Sequence, residues 1–387
     1  MRRRKTGSIF FATFCASSVT AVLSAAAEDI ALSLTKSIGS EFSSDGSSRL
    51  VGSIEPDARV TFAGTGGDIT AALSSEWRYL PAENDPYLSS FYAGVIGEMT
   101  PAALTTARFA ASVDGSVPDP DDAALPPLTA SPPLSLNWRS EAGFSQRFGA
   151  VTAEARANLL RGTMSDTVLE DTSTIDNSEF ELSGYGAGGR LGVDLSPVWG
   201  IFVDAGLQRE AYDAPSTSLG VPLDNLTSRT EAGVSFDHGE DLNGEMSLGV
   251  LRRGFDDGSL GEVTAYSASA NVSWSPNAST SVTAMLTTEL SPTTEPGATT
   301  EINHLATLAA AYEATDMLRL RGTVELGRDQ LAEVVEQTDT ATVGVGVDYL
   351  LNRFTTMFAN LTGKSIADTT DGDSQSVSIE AGITFSR

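Results

Sequence analysis

From about residue 29 to its end, this chain alternates side-chain character with a period of two, in segments far longer than the strands of soluble domains. In the last segment Val377, Ile379, Ala381, Ile383 and Phe385 alternate with Ser376, Ser378, Glu380, Gly382 and Thr384. Ala341, Val343, Val345, Val347 and Tyr349 alternate with Thr342, Gly344, Gly346 and Asp348. Leu318, Leu320, Gly322, Val324 and Leu326 alternate with Arg319, Arg321, Thr323 and Glu325. A period of two belongs to an extended strand, whose successive side chains point to opposite faces. Most segments run about 12–14 residues, whereas strands of soluble domains centre on about 5–6. At about 3.3 Å per residue and a tilt near 40°, about 13 residues rise roughly 33 Å. That reach suits a membrane band about 25 Å tall with an interfacial girdle at each end.

Such segments fall near 29–37, 52–63, 67–79, 88–98, 103–113, 134–147, 151–164, 179–195 and 199–212, then near 227–238, 242–255, 262–275, 279–290, 300–314, 318–330, 338–351, 353–365 and 375–387. Their connections alternate in length. Short turns fall at Gly64-Thr65-Gly66, Phe148-Gly149-Ala150, Ser196-Pro197-Val198, Gly239-Glu240-Asp241, Ser275-Pro276-Asn277 and Ala314-Thr315-Asp316. Between them lie the longer gaps 80–87, 114–133, 165–178, 213–226, 256–261, 291–299, 331–337 and 366–374. Tight turns at one end and long loops at the other are expected of a transmembrane antiparallel up-and-down β-barrel, and a soluble sandwich has no reason to keep them so. Bacterial single-chain barrels have even strand numbers. The all-β reading is therefore a barrel of about 18 strands, with 16 as the alternative if a weak N-terminal hairpin lies outside the wall.

The N-terminus reads as an address. Arg2-Arg3-Arg4-Lys5 is a basic stretch, Thr6 to Ala27 is uncharged, and Ala25-Ala26-Ala27 offers a small-residue cleavage site. Residues 1–27 are thus expected to be a cleaved signal peptide and 28–387 the outer-membrane barrel of a Gram-negative bacterium. The single cysteine, Cys15, lies inside the signal. Asp plus Glu number 51 against 24 Lys plus Arg, a formal charge of -27, which argues against a nucleic-acid partner. With two histidines, His238 and His304, no His-rich catalytic or metal site is expected. Asp368, Asp371 and Asp373 lack the ligand spacing and distal Glu of a calcium loop. The chain therefore carries no expected metal, cofactor or catalytic group.

If the polar face lines a lumen, Arg139, Glu141, Arg156, Glu231, Glu245, Arg319, Arg321, Glu325 and Asp348 are expected to set the field inside it, with Glu76, Arg78, Glu154, Asp204, Glu210, Asp237 and Arg253 beside them. The gap 114–133 is a candidate constriction loop with Asp114, Asp119, Asp121 and Asp122, although a solvated external loop is the plainer expectation. Trp77 and Trp138 should form an outer girdle, and Trp199, Trp274, Tyr312, Tyr349 and Phe385 a periplasmic one, because aromatic rings with a polar edge favour the headgroup level. Expected partners are outer-membrane lipid and lipopolysaccharide and the barrel-assembly machinery.

Three stretches carry a family resemblance: Leu195-Ser196-Pro197-Val198-Trp199-Gly200-Ile201-Phe202-Val203-Asp204-Ala205-Gly206, Leu242-Asn243-Gly244-Glu245-Met246-Ser247-Leu248-Gly249-Val250-Leu251-Arg252-Arg253-Gly254-Phe255, and Ala268-Ser269-Ala270-Asn271-Val272-Ser273-Trp274-Ser275-Pro276. The chain over roughly 134–387 resembles the β-barrel porin type 2 family of Gram-negative outer membranes. That resemblance implies an outer-membrane barrel, a relative of proteins often linked to surface polysaccharide export, with no agreed substrate. The expected activity is passive passage of polar solutes or polysaccharide, with mild cation preference. A structural or adhesive barrel with a blocked lumen is the alternative, and an outer-membrane hydrolase built on His304 a remoter one.

Overall fold

A computed structural model describes residues 29–387 apart from 45, 65, 81–85, 120–124, 294–296 and 371. The segment 1–27, expected to be a signal peptide, and Asp121, Asp122 and Asp371 lie outside the described residues. Eighteen strands form one sheet in which each pairs antiparallel with its neighbours in sequence. The first strand, Asp29–Ser43, pairs with the last, Ser374–Ser386, from Ser33↔Ser386 to Ser43↔Ser376, so the sheet closes on itself. The wall therefore has eighteen strands, not sixteen. Its N-terminal hairpin, Asp29–Ser43 with Ser48–Gly64, is longer than its sequence pattern suggested and is fully part of the wall. Among the described residues there is no α-helix. Short strands at Thr129–Ser131, Thr167–Leu169 and Thr174–Ile175 make a small separate sheet in the outer loops. Ser178–Phe180 form a 3-10 turn, so the eighth wall strand is Leu182–Asp194 rather than 179–195.

Closure is what lets these residues be strands in lipid. Hydrocarbon offers no partner to a free N–H or C=O, and a barrel leaves none at an edge. The turns at the end where the chain begins are tight. Gly149 and Gly239 turn there at φ 65 and φ 69, and no atom lies within 4 Å of where a Cβ would stand; backbone conformation, not space, requires glycine. One rung of the wall is irregular. The strands Val263–Asn277 and Thr280–Pro292 pair only as far as Ala270↔Leu286. Beyond that rung the buried Thr288 hydroxyl, 3.2 Å from both groups, accepts from the Ala268 N–H and donates to the Ala268 carbonyl, in place of ladder bonds.

The register sorts every wall residue to one of two faces. Exposed apolar side chains such as Ile38, Leu159, Leu191, Val203, Leu248 and Leu326 share one face, which is the lipid face. Lipid-face residues also form slanted rows along the hydrogen bonds. One such row runs Tyr349, Met357, Ile383, Lys36, Ile54, Trp77. Its ends are aromatic, and its fourth member is a lysine. A Lys on the lipid face costs about 2–4 kcal/mol at mid-membrane and about 0–1 near an interface. Lys36→Leu is therefore expected to raise the unfolding free energy in phosphatidylcholine bilayers by ~1–2 kcal/mol. Denaturant titration of folded and unfolded fractions measures this, and a destabilised variant would contradict the assigned face.

Candidate functional site

The lumen face carries the chemistry, and small residues shape it. In the strand Leu182–Asp194 the lumen-facing positions include Gly184, Gly186 and Gly188. The strands on either side place Asn158 and Gln208 opposite Gly186. Asn158 Nδ2 donates to Gln208 Oε1 at 2.8 Å directly over that glycine, and a Cβ there would lie 2.2 Å from the Gln208 oxygen. Arg156 likewise reaches across the same strand and holds Asp204 through two bonds of 2.6 and 2.5 Å. A Cβ at Gly188 would lie 3.1 Å from the Arg156 Nε. Arg190 spans further. Its guanidinium lies 3.5 Å from the centre of the Phe202 ring and donates to Glu245 at 2.7 Å, two strands beyond its neighbour. Phe202 itself is buried on the lumen face, and Gly233 gives it room.

The opposite wall repeats the device. Arg321 donates to Asp348 at 2.8 and 2.7 Å and to Asn360 at 2.9 Å, over Gly346. These groups, with Arg319, Glu55, Glu313 and Glu380, line a cavity of about 620 Å³ at the periplasmic end of the lumen. Arg139, Glu141, Glu154 and Glu325 fall on the lumen face by register, as does Asp237 at the periplasmic end of its strand. Glu231 is 6 % exposed and accepts from Arg229 at 2.6 Å and from Ser247 at 2.8 Å; Ser267 also donates to it. The bridging guanidiniums thus lie against the wall on partners from other strands rather than projecting into the central space. Sequence reading did not find Arg190 or Phe202. Arg190 ends the run Gly184-Tyr185-Gly186-Ala187-Gly188-Gly189, whose parity marks it as lumen-facing.

At the outer mouth, loop residues pack against the wall at two places. Asp119, in the gap 114–133, turns back to the wall instead of standing in solvent. Arg49 approaches it at 2.9 Å, Arg78 at 3.2 Å, and the Tyr87 hydroxyl donates to it. Arg78 also holds Glu76 at 2.6 Å. Burial pushes the Asp119 pKa up, but the Tyr87 hydrogen bond and the Arg78 and Arg49 charges outweigh it, and the carboxyl lies below its ordinary range. Asp114 belongs to the strand Thr105–Ser116 and accepts from Asn137 at 3.1 Å. On the other side of the mouth Leu223, Asn225, Ala298 and Thr300 are buried under the loops. Arg253 there is 2 % exposed; it donates to the Leu290 carbonyl at 2.8 Å and lies 3.6 Å from Glu210.

The aromatic residues gather toward the two ends of the barrel. Trp77 and Trp138 stand near the outer ends of their strands. Trp199, Trp274, Tyr312, Tyr349 and Phe385 stand near the periplasmic ends, all on the lipid face. His304 is also on the lipid face, 3.0 Å from the Thr288 hydroxyl, and His238 follows a strand in a periplasmic turn. Among the described residues no group of three His, Cys, Asp or Glu could hold a metal.

Two outcomes follow. Glu210→Ala leaves the buried Arg253 without its carboxylate and is expected to lower the unfolding free energy by about 3–5 kcal/mol. Glu325→Ala, on the open lumen wall, is expected to change it by under ~0.5 kcal/mol. Denaturant unfolding in bilayers compares them, and equal effects would refute the buried-pair reading. Asp119 has a depressed pKa, so its pinning is complete above the ordinary carboxylate range and is lost as pH falls through the depressed value. Protease nicking of the 117–128 loop should therefore stay slow until strongly acidic pH in the native chain, and be fast throughout in Asp119→Asn.

The chain is similar to the FrpB iron transporter from Neisseria meningitidis at 11% identity and a TM-score of 0.47, covering 90% of this chain and 64% of that one. It thus spans under two-thirds of that transporter's length. It is similar to the outer membrane protein OpdK from Pseudomonas aeruginosa at 11% identity and a TM-score of 0.45, covering 93% of this chain and 100% of that one. A third similarity is to OccK2 (OpdF) of Pseudomonas aeruginosa, solved in complex with glucuronate, at 11% identity and a TM-score of 0.46, covering 93% and 99%. No protein of curated function matches the chain by sequence. The closed eighteen-strand wall is that of a Gram-negative outer-membrane barrel, and over residues 46–387 the chain belongs to the family described as "Putative beta-barrel porin 2".

Proposed function

We propose that this porin-like barrel is a passive channel for polar solutes, narrowed at its outer mouth and mildly selective for cations. The observation that carries this reading is the state of the lumen charges. Arg156, Arg190, Arg229, Arg253 and Arg321 each have a carboxylate partner on the wall. Further carboxylates, among them Glu55, Asp57, Glu141, Glu154 and Glu325, share the same face. Net negative charge in a water-filled pore raises the local concentration of cations and lowers that of anions. An eighteen-strand barrel is too wide for wall side chains to fill, so water keeps a path unless loops close it. Selection then works by size and field, without covalent chemistry. Extended sugar polymers fall within the same solute class, since the wall offers Asn, Gln, Ser and Arg side chains to hydroxyl groups.

The pinned Asp119 and the packed loops around Leu223 and Ala298 favour a second reading, a barrel whose mouth is closed and whose role is structural. Planar-bilayer recording of the purified protein separates the two. The channel reading expects steady open-pore current and a reversal potential on the cation side under a salt gradient. Asp204→Asn releases Arg156 from its partner and is expected to move the reversal potential toward anions. Absence of current in the native chain and in Asp119→Asn alike would favour the closed barrel.

A further inference from the structure

Among the described residues, five basic residues stand on the lipid face within the wall strands, and one of them is out of place. Arg161, Arg209, Arg252 and Arg328 each lie three residues from the outer end of their strands, which end at Met164, Tyr212, Phe255 and Leu331. Three of these hold carboxylates: Arg161 holds Asp213, Arg209 holds Asp256, and Arg328 holds Asp339. Lys36 instead lies seven residues from the outer end of its strand at Ser43. Its cross-strand neighbours are Ile54 and Ile383, and it has no hydrogen-bond or ion-pair partner among the described residues.

The slanted row fixes its depth. Lys36 is two rungs from Trp77 at the outer girdle and three from Tyr349 at the periplasmic one. With strands about 4.8 Å apart and tilted near 40°, each rung changes depth by roughly 3 Å. Trp77 is then about 6 Å away in depth and Tyr349 about 9 Å. An extended lysine reaches about 6 Å from its Cα, and such side chains snorkel to the nearest polar layer. The level of Trp77 is within reach and that of Tyr349 is not. Along its own strand the outward path passes Ile38 and then Ser40, whereas the inward path is Leu34, Leu32 and Ile30.

A second copy of this chain does not supply the missing anion. Among the described residues the lipid face carries no carboxylate between the girdles; Asp339 lies toward an outer strand end, already bonded to Arg328 at 2.7 Å. We propose that Lys36 is a lipid-binding residue, whose ammonium holds the phosphate of an outer-leaflet glycolipid of the lipid A type against the seam between the first and last strands. The acyl chains then lie on Ile38, Ile54 and Ile383, and the anion relieves the charge held in hydrocarbon. This goes beyond the channel reading and does not depend on it.

The test uses the full folded chain in mild detergent, titrated with bis-phosphorylated lipid A and followed by native mass spectrometry. Heat-modifiable gel mobility checks the fold of each variant. The native chain and Lys36→Arg are expected to retain one lipid A, and Lys36→Gln to lose at least tenfold in occupancy. Lipid A stripped of its phosphates should bind the native chain no better than it binds Lys36→Gln. Equal occupancy in the native chain and Lys36→Gln would overturn the proposal, as would equal binding of the dephosphorylated lipid. Preference for phosphatidylglycerol over lipid A would place the anion in the other leaflet and would also refute it. So would a protein that co-purifies with the native chain but not with Lys36→Gln.

Discussion

The obligation to satisfy every backbone N–H and C=O where no water is present governs this molecule. It demands a sheet without edges, and the pairing of Asp29–Ser43 with Ser374–Ser386 provides it. Every other feature is arranged within that closed ladder. Where ladder bonds are missing, at the outer end of the pair Val263–Asn277 and Thr280–Pro292, the Thr288 hydroxyl replaces them from a side chain. A buried peptide group left unpaired there would cost more than the entropy of holding one threonine in place.

Small residues on the lumen face have a structural purpose that a strand propensity scale would mark as a weakness. Glycine inside a strand gives up packing and backbone entropy. In this barrel Gly186, Gly188 and Gly346 leave shallow lanes through which side chains of the flanking strands meet. Arg156 with Asp204, Asn158 with Gln208 and Arg321 with Asn360 are joined over the glycines of the strand between them. The result is a lumen whose charged groups lie along the wall, tied across three strands at a time. Such ties stiffen the wall and keep guanidiniums from closing the central space.

The lipid face follows a different economy. Its arginines sit toward strand ends, where the headgroup layer hydrates them, and three of them have acidic partners. Lys36 breaks this pattern by standing between the girdles. A charge in that position persists when something relieves it, and reach decides which surface does so. The loops at the outer mouth obey the same logic of compensation: Asp119 gives up water for a tyrosine hydroxyl and two guanidiniums.

The sequence by itself determined the strands, their faces and the alternation of tight turns with long loops, because those depend on local period and on which residues lipid and water each tolerate. The segments 67–79, 151–164, 199–212 and 242–255 match the wall strands to the residue. It also carried the sign of Lys36, since Ile30, Leu32, Leu34, Lys36 and Ile38 share one parity; ending that segment at 37 obscured how deep the lysine lies. Only the tertiary structure decided the partners. That Arg190 reaches Glu245, that Arg78 shares Asp119 with Arg49, and that Arg253 is buried beside Glu210 follow from register and barrel shear across strands distant in sequence. Alternation tells each side chain which face to take, whereas the closed curvature of the wall decides which other side chain it meets there.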